Sequence, residues 1–79
     1  MATFLVERYG PGIHPAAARS LDRHLAALGA RIIQTIVTDV DEVSFWYVEA
    51  GSAADVRAGF RAAEVPLDRI TAARGPERA

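Results

Sequence analysis

Two carboxylates and one imidazole are the side chains of this chain that are best suited to chemistry. Glu7 and Glu49 each lie within a run of apolar, β-branched and aromatic residues, and His14 follows a Gly-Pro-Gly turn. Carboxylate oxygen and imidazole nitrogen together bind divalent transition metals such as Ni²⁺. Carboxylates in a half-buried cavity can instead act as acid or base groups in catalysis. The candidate metal ligands are therefore Glu7, Glu49 and His14.

Composition excludes several other chemistries. The chain has no cysteine, which excludes disulfides, thiolate metal sites and thiol catalysis, and no lysine, which excludes Schiff-base chemistry. Its net charge is −1 and its nine arginines are scattered, so no basic stripe for nucleic acid emerges. No apolar run reaches the length of a membrane span or resembles a signal peptide. We therefore expect no contact with membranes and a cytoplasmic location.

The two histidines are too far apart to share one metal ion. His14 and His24 are ten residues apart, which corresponds to a rise of about 15 Å along a helix. Bonds from a metal to its ligands are only about 2 Å long. A metal site therefore needs one histidine with carboxylates, or ligands from two chains. The plainer alternatives are that His24 is a helix residue at the edge of the core and that His14 is a loop residue near a helix start.

The apolar pattern predicts six elements that would position these side chains. Segments rich in β-branched and aromatic residues indicate strands, and apolar residues at helical spacing indicate helices. Gly29 is placed to end the first helix, which begins near Ala16, and Ser52 is placed to begin the second. The predicted strands are Thr3–Tyr9, Arg31–Thr38, Val43–Ala50 and Leu67–Ala73.

The order strand-helix-strand-strand-helix-strand is that of the ferredoxin-like α+β fold. We expect one domain over residues 1–74, with a four-stranded antiparallel sheet and both helices on one of its faces. The first and third strands are expected at the centre of that sheet. Residues 75–79 are expected to form a frayed tail.

Strand alternation separates the sheet face that the helices cover from a second face, here called the open face. The third strand carries large apolar groups on both sides, so something must cover the open face as well. The side chains predicted to face the helices are Phe4, Val6, Trp46, Val48, Ile70 and Ala72. The open face is then predicted to carry Leu5, Glu7, Tyr9, Ile33, Thr35, Val37, Phe45, Tyr47, Glu49, Arg69 and Thr71.

Small size favours a homodimer through the open face. A chain of 79 residues buries only about 60% of its unfolded surface, and oligomerisation often supports domains of this size. Two sheets packed face to face would enclose a lumen lined by Glu7, Tyr9, Tyr47, Glu49 and Arg69. This lumen would bind a metal or a small molecule, or Glu7 or Glu49 would merely neutralise Arg69 as an interface ion pair.

Four short segments resemble a family of small bacterial ferredoxin-like proteins that are described as nickel-binding or as of unknown function. The segments are Phe4–Arg8, Pro11-Gly12, Phe45–Ala50 with Ser52, and Val65–Ile70. Their order and spacing extend the resemblance over nearly the whole chain. The resemblance implies a ferredoxin-like dimer and, for at least one member, binding of Ni²⁺. It does not imply an enzyme.

This chain departs from the family pattern at two places. Many members carry Cys in the third strand, where this chain has Phe45 and Trp46, so soft ligands are missing. The helix start, usually Thr or a similar residue, is His14 here, which adds an imidazole. Imidazole with carboxylate oxygen still suits Ni²⁺.

Three functions remain open from the sequence. The first is a homodimeric, non-catalytic protein that binds nickel or another divalent metal and needs no organic cofactor. The second is a dimeric α/β barrel that binds or converts a small molecule in the lumen, by analogy with the monooxygenases and cyclases of that architecture. The third is a structural interaction module without a ligand.

Overall fold

Six elements form in the predicted order in the computed structural model, which describes residues 1–74. They are β1 (Ala2–Tyr9), α1 (Pro15–Ala27), β2 (Arg31–Thr38), β3 (Val43–Ala50), α2 (Ala53–Ala62) and β4 (Arg69–Ala73). The predicted ferredoxin-like α+β class is confirmed. The fourth strand begins at Arg69 and not at Leu67. The tail predicted at 75–79 lies outside the described residues.

The sheet is four-stranded and antiparallel, in the order β2-β3-β1-β4. β1 pairs with β3 on one side and with β4 on the other, so β1 and β3 are central, as predicted. Glu7 consequently lies opposite Phe45 on one neighbouring strand and opposite Arg69 on the other. The topology thus places this carboxylate in the middle of the sheet and not at its edge.

Local capping sets where the helices begin and end. The Ser52 hydroxyl accepts a hydrogen bond from the Asp55 backbone N–H at 3.1 Å, which begins α2 as predicted. Gly29 follows α1 with a φ of 74°, and the Ala30 N–H reaches back to the Leu25 carbonyl oxygen at 2.9 Å. This closure is a Schellman motif, whose left-handed residue is usually glycine. Within residues 1–74, neither helix is long and apolar enough to span a membrane.

The core lies between the sheet and the two helices. Its side chains with no exposed surface include Val6, Val48, Leu21, Leu25 and Val56. Trp46 and Phe60 meet edge to face with ring centroids 5.3 Å apart, an arrangement that adds about 1 kcal/mol to their burial. The prediction that the side chains of Val6, Trp46 and Val48 face the helices is confirmed.

Gly59 allows the two helices to approach closely. A Cβ atom added at this position would lie 3.1 Å from Leu25 Cγ and 3.5 Å from Leu25 Cα. Leu25 is fully buried, so the close packing around it limits how far its side chain can move away. The missing side chain at Gly59 therefore sets the spacing between α1 and α2, and with it the position of α1 over the sheet.

A β-bulge in β2 overturns part of the predicted open face. The pairing of β2 with β3 shifts by one residue between Ile32 and Gln34. Beyond the shift, Thr35 and Val37 lie opposite helix-facing residues of β3 and share their side of the sheet. The prediction that Thr35 and Val37 face the open side is therefore wrong, and Ile33 lies at the bulge itself. One extra residue inverts the alternation of all residues that follow it.

Gln34 and Ile36, and not Thr35 and Val37, are the β2 residues whose side chains lie on the open face. Gln34 lies opposite Tyr47, and Ile36 lies opposite Phe45. Ile36 is 42% exposed in the single chain although it is a large apolar side chain. The bulge therefore extends the apolar part of the open face from β3 onto the edge strand.

Candidate functional site

The open face carries an apolar centre between two ion pairs. Its observed residues are Thr3, Leu5, Glu7, Tyr9, Arg31, Gln34, Ile36, Thr38, Val43, Phe45, Tyr47, Glu49, Arg69, Thr71 and Ala73. The side chains of Leu5, Phe45 and Tyr47 are half-buried in the single chain. A contiguous apolar surface rimmed by polar residues is typical of a surface that contacts another molecule.

Glu7 is the more buried of the two carboxylates on the open face. Its side chain is 16% exposed, and its Oε2 lies 3.6 Å from the Nε of Arg69. That distance is longer than an N–H···O hydrogen bond, so the contact is a loose ion pair. Arg69 is 66% exposed, and pairs with such exposed partners stabilise a fold by at most about 1 kcal/mol. The Glu7 carboxylate therefore keeps lone pairs for a further donor or a cation.

Glu49 pairs with Arg31 and not with Arg69. The Nε of Arg31 donates to Glu49 Oε1 at 3.1 Å, and the two residues lie opposite each other in β2 and β3. Of the two ion pairs expected for Arg69, the one with Glu7 forms and the one with Glu49 does not. Sequence reasoning missed Arg31 as a partner because the register between β2 and β3 had to be known first.

The three predicted metal ligands lie in three different places. Glu7 lies opposite Phe45, and Glu49 is four residues farther along β3, a separation of about 13 Å. His14 lies away from the open face, at the start of α1. Within residues 1–74, no three His, Asp or Glu side chains are close enough together to hold one metal ion. A single chain therefore does not assemble the predicted ligand set.

His14 is the N-cap of α1. Its Nδ1 accepts a hydrogen bond from the Ala16 backbone N–H at 3.1 Å, and Pro15 occupies the first helical position. A ring nitrogen that accepts carries no proton, so in the neutral ring the proton lies on Nε2. Coordination of a metal through Nε2 would move that proton to Nδ1 and break the cap. Metal ligation by His14 therefore competes with the capping of its own helix.

Substitutions of His14 distinguish its capping hydrogen bond from other contributions of its imidazole ring to stability. We expect His14→Ala to lower the free energy of unfolding by about 1 kcal/mol, because it removes the capping acceptor. His14→Asn should retain the full stability, since Asn is among the best N-cap residues. Urea denaturation followed by far-UV circular dichroism measures both variants. If both variants lost the same free energy of unfolding, the capping role would be contradicted. The ring would then stabilise the chain through packing.

The two tyrosines of the predicted lumen differ in position. Tyr47 lies near the centre of the open face, between Leu5 on β1 and Gln34 on β2. Tyr9 lies at the end of β1 and is 56% exposed. Its backbone N–H donates to Asp68 Oδ2 at 2.7 Å, which ties the segment before β4 to β1. Tyr47 is therefore the better placed of the two to contact a molecule seated on the open face.

Two concave surfaces lie outside the open face, and the sequence predicted neither of them. A groove of about 420 Å³ lies beside the C-terminal end of α2, where Phe60 and Val65 are buried and Arg57 and Arg61 are exposed. A cavity of about 320 Å³ lies between α1 and the helix-facing side of β2 and β3. The groove is lined by a single stretch, residues 57–67, whereas the walls of the cavity come from α1, the segment before it, β2 and β3, so no single motif marks the cavity.

The chain has the same fold as a solved protein, SCO4226 from Streptomyces coelicolor A3(2). The two structures align with a TM-score of 0.83 and 17% sequence identity, over 96% of this chain and 100% of that one. At this level of identity the similarity establishes the fold alone, since one fold hosts many functions. No protein-family model matches the chain, and no curated protein matches it.

Proposed function

We propose that this chain forms a homodimer through its open face and binds a divalent metal ion such as Ni²⁺ without catalysing a reaction. The observation that carries the proposal is the Glu7 carboxylate, mostly buried on the open face and 3.6 Å from its Arg69 partner. A face-to-face dimer would bury this carboxylate further, and a buried charge needs a close counter-charge. A divalent cation supplies that charge and takes oxygen ligands. We place the dimer in the cytoplasm on the basis of the sequence.

The shape and surface of the chain support the dimer. The Cα trace measures 30 × 29 × 18 Å, so its broad faces can supply the roughly 800 Å² per partner of a standard interface. Leu5, Phe45 and Tyr47 form an apolar centre, and each ion pair on the open face is neutral overall. Two copies can therefore meet without net repulsion and bury apolar groups that a single small chain leaves half-exposed.

Ligands from both subunits would complete the metal site. Within residues 1–74 no group of three ligands forms in one chain. In a two-fold symmetric dimer, however, a carboxylate that lies near the symmetry axis meets the same carboxylate of the second subunit. Glu7 is the leading ligand candidate. Glu49 and His14 are secondary candidates, because Arg31 holds the first and the helix cap engages the second. The resemblance to nickel-binding proteins makes Ni²⁺ the metal to test first.

Native mass spectrometry of the full chain tests the metal and the dimer together. We expect a dimer mass that gains whole nickel ions when Ni²⁺ is added, with a matching stoichiometry by titration calorimetry. Glu7→Gln should weaken Ni²⁺ binding by more than about tenfold, since even the outer partners of metal ligands contribute that much. Asp41→Asn is the matched control, because Asp41 is an exposed carboxylate in the β2–β3 turn, and it should leave the affinity unchanged.

Three results would each overturn a part of this proposal. A dimer that gains no nickel would contradict the proposal that the chain binds a metal ion. A protein that stays monomeric at high concentration would contradict the proposed dimer interface on the open face. Binding that is unchanged in Glu7→Gln, Glu49→Gln and His14→Asn would remove these three residues as ligands even if nickel binds elsewhere.

A small organic ligand between the two sheets is the second candidate function. The observation that favours it is the aromatic centre of the open face, where Phe45 and Tyr47 lie side by side on β3. In a dimeric α/β barrel such a ligand would lie in the lumen, with Glu7 or Arg69 as its polar contact. A native dimer that binds no nickel but carries the mass of an organic molecule would favour this candidate. A dimer structure whose aromatic side chains fill the lumen would contradict it.

A further inference from the structure

The groove beside the C-terminal end of α2 lies on the helix side of the molecule, away from the open face. One face of α2 and the segment that follows this helix form its walls, and its volume is about 420 Å³. Its floor is apolar, because Phe60 and Val65 are buried and Leu67 is half-buried. Small-molecule sites are typically concave, largely apolar surfaces of roughly 300–1,000 Å³ with a few placed polar groups. In size and lining the groove is of this kind.

Two arginines border the groove on the same face of α2. Arg57 and Arg61 are four residues apart, which places their side chains on one face of the helix at a rise of about 6 Å. Both are exposed, and within residues 1–74 neither guanidinium pairs with a carboxylate. Like charges at this spacing repel each other and destabilise a helix slightly. An anion held between the two guanidiniums would remove this repulsion.

The helix end accounts for one of these cations but not for the other. Arg61 lies in the last turn of α2, where the negative end of the helix dipole favours a cation. Arg57 lies one turn earlier, where this effect has fallen off. The same spacing recurs at Arg19 and Arg23 on α1, but those two line neither the groove nor the cavity between α1 and the sheet. Spacing alone therefore does not mark a site, and the apolar groove is what distinguishes the pair on α2.

A carboxylate in the wall of the groove limits the charge of a ligand. Glu64 lies three residues after Arg61 and is exposed. Its backbone has a φ of 59°, in the left-handed region that favours glycine, and its N–H donates to the Arg61 carbonyl oxygen at 3.0 Å. A second negative charge on a ligand would be repelled by this carboxylate. A monoanion therefore fits the groove better than a dianion.

We propose that the groove binds a small monocarboxylate with an apolar body. The carboxylate would bridge Arg57 and Arg61, since guanidinium groups present several N–H donors in a geometry that matches carboxylate oxygens. The apolar body would lie on Phe60, Val65 and Leu67. A cavity of about 150 Å³ accommodates benzene, so the larger groove has room for a ring and a short chain.

The probe is 4-phenylbutyrate, followed in ¹H–¹⁵N spectra of the full chain. We expect saturable shifts of backbone amides between residues 57 and 67, with a Kd of about 1 mM, in the range of efficient ligands of this size. Butyrate lacks the ring and should bind more than about tenfold more weakly. The uncharged match, 4-phenylbutanol, should bind more than about fivefold more weakly, because it forms no ion pair.

Two double variants locate the binding. Arg57→Gln combined with Arg61→Gln removes both charges and should weaken 4-phenylbutyrate binding more than about tenfold, since each exposed ion pair contributes up to about fivefold. Arg19→Gln combined with Arg23→Gln is the matched control, because it makes the same charge change at the same spacing on α1. It should leave the affinity unchanged at physiological salt, where distant charges are screened. Glu64→Gln should tighten binding about twofold. All five positions are exposed, so these variants should remain folded.

Four results would each overturn this inference. No saturable shift at concentrations well above the expected Kd would show that the groove binds no such acid. Equal affinity for 4-phenylbutanol would show that the anion is not recognised. Unchanged affinity in the α2 double variant would place the probe elsewhere on the chain, and an equal loss in both double variants would assign the effect to overall charge. The groove lies on the helix side, so none of these results depends on nickel binding or on the dimer.

Discussion

Arginine in place of Tyr47 is expected to convert the proposed dimer into a monomer. Tyr47 lies near the centre of the open face, with Leu5 and Gln34 opposite it on the neighbouring strands. A guanidinium at this position would be buried between the two sheets, and an unpaired charge in such a place costs about 3–5 kcal/mol. Two-fold symmetry introduces the charge twice, so the dissociation constant of the dimer should rise by several orders of magnitude.

Sedimentation velocity at matched concentrations measures this change in assembly. Val40→Arg is the matched control, because Val40 lies in the β2–β3 turn and is 96% exposed, and it should leave the dimer intact. Both variants should remain folded by circular dichroism, since Tyr47 is only half-buried in the single chain and an arginine can extend into solvent. A folded Tyr47→Arg variant that is still dimeric would show that the subunits meet through another surface.

Removal of the Phe60 ring is expected to lower the free energy of unfolding by about 3–5 kcal/mol. Phe60 is 1% exposed, and its ring meets Trp46 edge to face at 5.3 Å. Phe60→Ala removes this contact and leaves a void, which the helices cannot close because Gly59 and Leu25 are already in close contact. A domain of this size has only about 5–10 kcal/mol of stability in total, so the loss should leave the variant barely folded.

Urea denaturation monitored by Trp46 fluorescence and circular dichroism measures this loss. The protein concentration must be held fixed, because a dimer is stabilised by mass action. Phe60→Leu should lose clearly less, since it keeps most of the buried volume, and Val40→Ala should stay within about 0.5 kcal/mol of the unchanged chain. A loss of less than about 1 kcal/mol in Phe60→Ala would contradict the packing of α2 against Trp46.

The elements of the fold were predictable because their signals are local. Alternation within β1 and β3 identified the residues that face the helices, and Ser52 and Gly29 marked helix ends through bonds to residues a few positions away. The β4 boundary was missed by two residues. Asp68 lies just before β4, and its carboxylate accepts from the Tyr9 N–H, a contact between distant parts of the chain. No pattern within the segment itself predicts such a contact.

The candidate site was predictable only in part. Glu7, Tyr47 and Arg69 were placed correctly on the open face because β1, β3 and β4 keep strict alternation. Alternation failed in β2, where the bulge after Ile32 inverted the faces of the following residues. The partner of Glu49 was missed for a different reason: Arg31 precedes the bulge, and only the register of β2 on β3 places it opposite Glu49.

The sequence by itself determined the order of the elements, the central position of β1 and β3 and the apolar character of both sheet faces. These features follow from side-chain type and spacing, which act over a few residues. The tertiary structure decided the register of β2, the separation of Glu7 from Glu49, and the cavity between α1 and the helix-facing side of β2 and β3. These features depend on how distant strands and helices align, and a shift of one residue in that alignment changes which side chains meet.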